Sequence, residues 1–165
     1  AAAWEQRYAA GRTTLARRRA GAGACATAPA GTLVSVGGGE IRVLLCDDSP
    51  GFRSLLRYTL EDDPDVVVVG EAGDGEACLA AIAGLRPDVV LLDISMPRVQ
   101  GLDAIGAMRE CAPGCRIVAL SGFTAGEMAA TALARGAHAY VEKGTGVTAI
   151  RDAIRAAAAA PGRSA

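Results

Sequence analysis

Aromatic side chains make up only 4% of this 165-residue chain, and it has a single histidine, His138. Ring-on-ring packing cannot build its core, so Val, Leu, Ile and Ala must. The 51% apolar content is enough for one ordinary domain. No apolar run approaches the roughly 20 residues that a membrane span requires, so no membrane association is predicted. Five cysteines are scattered singly, with no secretory apolar segment ahead of them. That argues against a disulfide framework and predicts a reducing, cytoplasmic setting. Cys111-Ala-Pro-Gly-Cys115 is the one close pair, and no second Cys or His pair completes a zinc set. A Gly-x-x-x-x-Gly-Lys loop is also missing, so no nucleoside triphosphate cradle is expected. Gly70, Gly73 and Gly75 lack the dinucleotide spacing, and the glycines at 37–39 fall ahead of a strand. Both groups read as turns and linker.

The net charge of −1 hides an uneven distribution. Residues 1–39 carry five arginines against Glu5, whereas residues 40–165 carry 12 bases and 17 acids. The acidic body argues against nonspecific nucleic-acid binding by that part. Before 37–39, Ala, Arg, Gly and Thr dominate, and large apolar residues are too few for a core. Residues 1–39 therefore read as a disordered tail or upstream linker. The Arg-rich, acid-poor composition is also that of transit peptides, and Arg17-Arg18-Arg19 suggests a twin-arginine signal. The Ala/Gly stretch that follows is a poor apolar segment for the latter. The start at Ala1 rather than Met fits processing or a fragment boundary. Residues 40–160 are expected to form the domain, and 161–165 a C-terminal tail.

From Glu40 on, apolar runs alternate with helix-periodic stretches. Ile41–Cys46 reads as a buried strand. A helix follows, with Pro50 in its first turn behind Asp48 or Ser49 as the cap, and Phe52, Leu55, Leu56 and Leu60 as its apolar face. A β-branched strand over 66–69 is expected to end at Gly70. The next helix covers 76–85, turning Cys78, Leu79, Ile82 and Leu85 inward until Pro87 stops it. Three more pairs follow: strands at 89–92, 116–120 and 139–142, and helices at 102–110, at 125–134 before Gly136, and through Val147, Ile150 and Ile154. Five β-α units in a row predict an α/β fold. It should be a five-stranded parallel doubly wound sheet with right-handed crossovers, its apolar strands buried on both faces.

Polar residues fall at the carboxyl ends of those strands. The first gives Asp47 and Asp48, the third Asp93, the fourth Ser121 and the fifth Lys143. In a doubly wound sheet that edge is where ligands bind. An acid after a strand is usually a helix cap or a turn residue, but four strand ends supplying three acids, a hydroxyl and an amine favour a site. Two carboxylates about 4 Å apart repel by roughly 4 kcal/mol at an effective dielectric near 20. Three of them with few imidazoles call for a hard cation, most simply Mg²⁺. A cation, an ammonium and a hydroxyl together suit a phosphoryl group, whose transfer is mainly positioning and charge neutralisation. His138, with no acid or Cys at ligand spacing, reads as a surface residue at a helix-to-strand junction.

Four segments resemble the receiver domain of two-component response regulators. They are Leu45-Cys46-Asp47-Asp48, Leu92-Asp93-Ile94-Ser95-Met96-Pro97 with Gly101-Leu102-Asp103, Ala119-Leu120-Ser121-Gly122, and Ala139-Tyr140-Val141-Glu142-Lys143. The likeness covers about residues 41–158. It implies a flavodoxin-like sheet in the order 2-1-3-4-5. It further implies that Asp93 accepts a phosphoryl group from a sensor histidine kinase. Mg²⁺ would be held by Asp48, Asp93 and the Ser95 main-chain carbonyl, with Asp47 acting mostly through water. Lys143 and Ser121 would each hold a phosphoryl oxygen, and Tyr140 would turn into the space vacated as the loop after strand four moves inward. Tyr140 also fits a plain edge-strand aromatic. Pro97 would shape the loop after Asp93, while Gly122, Phe123 and Ser95 would tune the lifetime of the phosphoryl group. The sequence departs from many receivers in having Gly144 rather than Pro after Lys143.

The resemblance thus implies a phosphorylation switch whose helix-four, strand-five and helix-five face meets an output partner or a second copy. Self-phosphorylation and self-dephosphorylation would be its only chemistry, so it is not expected to be an enzyme. The stretch Gly70-Glu71-Ala72-Gly73-Asp74-Gly75-Glu76 looks like nitrate-regulator-type receivers joined to helix-turn-helix domains. Contact with DNA is expected only through an output domain absent from this chain. Two alternatives are a metal-dependent phosphohydrolase on a similar fold and a degenerate, non-phosphorylated binding module. Ser95 stands where the hydrolase would carry its second acid, so a general acid is lacking.

Overall fold

A computed structural model of the chain describes residues 39–96, 101–122 and 126–160. Five parallel strands run in the order β2-β1-β3-β4-β5: β1 Ile41–Cys46, β2 Val66–Ala72, β3 Val89–Asp93, β4 Arg116–Ser121 and β5 Ala139–Glu142. They alternate with α1 Pro50–Glu61, α2 Gly75–Leu85, α3 Gly101–Cys111, α4 Gly126–Ala134 and α5 Val147–Ala159. A 3₁₀ turn, Lys143–Thr145, separates β5 from α5. Both the doubly wound α/β class and the 2-1-3-4-5 order agree with the sequence expectation. No helix among the described residues is long and apolar enough to cross a membrane.

Every residue of β3 and β4 is buried, because both strands are covered on both faces. On one face Val43, Leu45, Val89, Leu91, Val118 and Leu120 meet Leu56 and Leu60 of α1 and Ile150 and Ile154 of α5. Side chains of opposite parity, such as Leu44, Val90 and Leu92, are buried too. α2 packs against β1, β2 and α3. Helix ends follow local chemistry. Ser49 caps α1 by accepting the Phe52 N–H, with Pro50 in the first turn. Asp74 caps α2 by accepting the Ala77 N–H at 2.8 Å. α2 stops where Arg86 turns left-handed at φ 49°, ahead of Pro87.

Three expectations need correction. β2 does not end at Gly70 but runs on through Glu71 to Ala72, with a register shift opposite Val43 and Leu44. Gly70 is there because a Cβ at that position would stand 2.5 Å from Leu85 Cδ1, so the glycine lets α2 lie close to the strand. Leu55 is not on the buried face of α1. It is 52% exposed, since the stripe of Leu56 and Leu60 lies about 100° or more away around the helix. His138 is not a simple surface residue either: its Nδ1 accepts the Ile117 N–H at 3.0 Å, and its Nε2 lies 3.2 Å from Nη1 of both Arg109 and Arg116.

Candidate functional site at the carboxyl edge of the sheet

Strand register brings the polar residues together. Cys46 pairs with Leu92, Asp93 with Leu120, and Ser121 with Glu142. The residues at and just after these positions therefore project from one edge. Asp47 and Asp93 are buried, at 1% and 2% exposure, whereas Asp48 is exposed. One carboxylate oxygen from each of the three lies within 4.8 Å of the others. Ser121 ends β4, fully buried.

The acids are not left to repel one another. Lys143 Nζ lies 2.6 Å from Asp47 Oδ2 and 2.8 Å from Asp93 Oδ2. Burial pulls the Lys143 ammonium down, but its bonds to Asp47 and Asp93 outweigh that and hold it above the usual lysine value. The other carboxylate oxygens accept main-chain donors. Ser49 N–H donates to Asp47 Oδ1 and Ser95 N–H to Asp93 Oδ1, each at 2.8 Å. These Asx turns fix both carboxylates against the loops that follow their strands.

Two supporting residues were missed from the sequence. Lys143 Nζ sits 4.6 Å from the centroid of the Phe52 ring, so the first turn of α1 adds a cation–π contact to the lysine. Arg53 Nη1 donates to the Asp47 main-chain carbonyl at 2.6 Å, while its Nε pairs with Glu71 Oε2 at 3.1 Å. Arg57 holds the other Glu71 oxygen at 2.6 Å and keeps that carboxyl below the usual range. Phe52 was assigned only to the apolar face of α1, and Arg53 carried no signal, because neither contact follows from local periodicity. Tyr140 is half-buried on β5 opposite Ala119. It lines a groove with Val141, Glu142, Thr145, Ala149 and Ala153. A Cβ on Gly122 would meet nothing within 4 Å. Pro97 and Phe123, expected to shape the loop after Asp93 and to tune the phosphoryl lifetime, lie outside the described residues.

Chemically, a tight acid cluster with one ammonium fits a hard divalent cation. Its three carboxylates are oxygen donors on short side chains, two of them fixed by Asx turns, as suits Mg²⁺.

Comparison with known proteins agrees with this geometry. The chain is 40% identical over 119 residues to an uncharacterized transcriptional regulatory protein, YxjL, of Bacillus subtilis, covering 72% of this chain and 55% of that protein. It is 40% identical over 104 residues to a protein-glutamate methylesterase/protein-glutamine glutaminase of Maricaulis maris, covering 62% of this chain and 26% of that protein. The signal receiver domain of the putative response regulator NarL from Mycobacterium tuberculosis superposes with a TM-score of 0.65 at 33% identity, over 71% of this chain and 98% of that one. The chain thus spans about half or less of the curated relatives it matches. The model of the response regulator receiver domain matches residues 43–155, which include Asp47, Asp48, Asp93, Ser121 and Lys143, and the chain belongs to that family.

Proposed function

We propose that Asp93 accepts a phosphoryl group from the phosphohistidine of a sensor kinase, and that the resulting acyl phosphate switches the face formed by α4, β5 and α5. The observation that carries this reading is the pair of hydrogen bonds from Lys143 Nζ to Asp47 and Asp93, the three residues lying at three different strand ends. An ammonium already seated on the acceptor carboxylate is positioned to neutralise the charge that arrives with phosphate.

Asp93 Oδ1 is held by the Ser95 N–H, and Oδ2 by the movable Lys143. Attack through Oδ2 breaks the bond from phosphorus to the imidazole nitrogen of the donor. Lys143 then exchanges Asp93 for a phosphoryl oxygen. Asp47, Asp48, Asp93 and the Ser95 main-chain carbonyl would hold Mg²⁺, which when bound supplies charge neutralisation for the phosphoryl oxygens. The Ser121 hydroxyl would take a further oxygen, drawing the loop after β4 inward, and Tyr140 would follow.

The added group carries a charge of about −1.5 to −2. Turning a switch from mostly off to mostly on takes roughly 5.5 kcal/mol of differential stabilisation, shared among phosphoryl contacts, cation and bound partner. The groove of Tyr140, Thr145, Ala149 and Ala153 is the surface on which a partner or second copy would read the change. In the whole protein we propose a domain over 40–160 flanked by linkers, in the cytoplasm, with transcriptional output through a separate DNA-binding domain. The likeness to YxjL supports that choice. Residues 1–38, 97–100, 123–125 and 161–165 lie outside the described structure.

Incubation with Mg²⁺ and acetyl phosphate, followed by intact-mass measurement, tests the assignment. One phosphoryl adduct per chain, absent from Asp93→Asn and in EDTA, is the expected result. Turnover of phosphate esters without an adduct would instead identify a hydrolase, and neither signal an inert binding module.

A further inference from the structure

Asp47 is held along its backbone as well as by its carboxylate. Its N–H donates to the Ala72 carbonyl of β2 at 3.1 Å, and its own carbonyl accepts Arg53 Nη1 at 2.6 Å. That carbonyl belongs to the peptide unit leading into Asp48, the exposed acid of the three. The direction of Asp48 therefore depends on the oxygen that Arg53 holds. Arg53 is well placed for this. Its main-chain N–H closes the first turn of α1 on the Ser49 carbonyl at 3.1 Å, and its side chain is only 17% exposed. The guanidinium lies against Gly73, where a Cβ would stand 3.8 Å from Nη1.

An irregularity in β2 aims Glu71 at Arg53. The ladder pairs Val43 with Val68 but Leu44 with Gly70, so Val69 is passed over. Leu45, whose side chain packs in the core with α1 and α5, consequently sits opposite Glu71. Without the shift Leu45 would face residue 70, and Glu71 would point to the α2 side, since one residue of slip moves a side chain to the other face. Bulges beside sites re-aim side chains in this way. Turned to α1, Glu71 takes Arg53 Nε at 3.1 Å on one oxygen and Arg57 Nε at 2.6 Å on the other. Arg53 thus serves two acceptors at once, a carboxylate and the Asp47 carbonyl, which suits a rigid guanidinium fork.

We propose that Arg53 is a positioning residue for the divalent cation, given that Asp47, Asp48 and Asp93 hold that cation as above, and that the shift in β2 places Glu71 to keep Arg53 in this role. Charge and position act with opposite signs here. As a bare charge, Arg53 opposes a cation bound nearby. As a clamp, it favours one by keeping Asp48 directed at the other two acids. The two roles also differ between cations. Mg²⁺ demands near-ideal octahedral geometry, whereas Ca²⁺ accepts flexible coordination, so a positioning residue governs Mg²⁺ more than Ca²⁺.

The test is calorimetric titration of the full chain with MgCl2 and, separately, CaCl2, at constant ionic strength. In Arg53→Gln, Mg²⁺ affinity should fall by about fivefold or more and Ca²⁺ affinity by about twofold or less. Arg53→Lys keeps the charge but offers one nitrogen to two acceptors, and should lose less Mg²⁺ affinity than Arg53→Gln. Arg57→Gln, which loosens Glu71 alone, should lose less still. Tighter Mg²⁺ binding in Arg53→Gln would show a charge effect, and equal losses for the two cations a general loosening; either overturns the positioning role. Should Arg53→Gln fail to fold, Arg53→Lys carries the comparison, and a wild-type ratio of Mg²⁺ to Ca²⁺ affinity there overturns it. A wild-type chain that takes up neither cation would instead remove the cation site itself, and the role of Arg53 with it.

Discussion

At the carboxyl ends of β1 and β3, the buried acids Asp47 and Asp93 close around Lys143; at the amino ends of β4 and β5, two arginines close around His138. The first cluster contains its own counter-charge, whereas among the described residues no carboxylate lies within 4.0 Å of either arginine of the second. An acid cluster that holds a lysine can exist before its cation or phosphoryl group arrives, and the lysine is what must give way. The same sheet therefore carries one edge where acids and an ammonium balance, and one where two guanidinium groups meet a ring nitrogen.

Removing the lysine should break the comparison most. Lys143→Met leaves Asp47 and Asp93 buried without an ammonium, and should cost about 2 kcal/mol of stability in EDTA, somewhat less than a fully buried pair would. Mg²⁺ should then raise the melting temperature more in the variant than in the wild type, because cation and lysine compete for the same oxygens. An equal or smaller Mg²⁺ response would mean that Lys143 does not occupy the cation's place.

Phe52→Leu keeps an apolar side chain at α1 but removes the ring beneath Lys143. The expected loss is about 0.5–1 kcal/mol by urea denaturation. Combining it with Lys143→Met in a double-mutant cycle should cancel most of that loss. Additive effects would show that the ring acts by packing alone.

At the other edge the sign should reverse. Arg109→Gln relieves repulsion between two guanidinium groups, so at low salt and without phosphate it should be neutral or stabilising by about 0.5 kcal/mol. Added salt should erase the difference. A loss above about 1 kcal/mol would mean that Arg109 holds the α3–β5 junction together.

The smallest effect concerns the Arg53 clamp on Asp47. Glu71 lies below its ordinary value of 4.5, chiefly through the Arg57 hydrogen bond. Its contribution to stability is therefore full above that pH and disappears as pH falls through the depressed value. Glu71→Gln should cost about 0.5 kcal/mol at neutral pH and flatten the acid limb of the stability profile. An unchanged limb would show that Glu71 does not anchor the clamp.

Much of this was legible in the residues. β1 and β5 fall on their expected bounds, because apolar runs ending in polar residues are unambiguous when flanked by turn chemistry. Ser49 and Pro50 announced the start of α1, and Pro87 the end of α2. Asp47, Asp48, Asp93, Ser121 and Lys143 could be grouped because parallel strands deliver all their carboxyl ends to one edge. Gly70 misled because a glycine in a run of valines looks like a stop, and its reason, the approach of Leu85, is 15 residues away. Leu55 was misassigned because two adjacent leucines cannot both centre on one helical face.

The sequence by itself determined the alternation of strands and helices, the burial of the central strands and the identity of the residues at the carboxyl edge. Each depends on periodicity and turn chemistry within about a dozen residues. Only the tertiary structure decided that Lys143 would bind Asp47 and Asp93, that Phe52 would lie beneath it and Arg53 hold the Asp47 carbonyl. It alone brought Arg109, Arg116 and His138 to one point. Most of those contacts join residues far apart in the chain, and strand register and helix packing set them where local pattern has no reach.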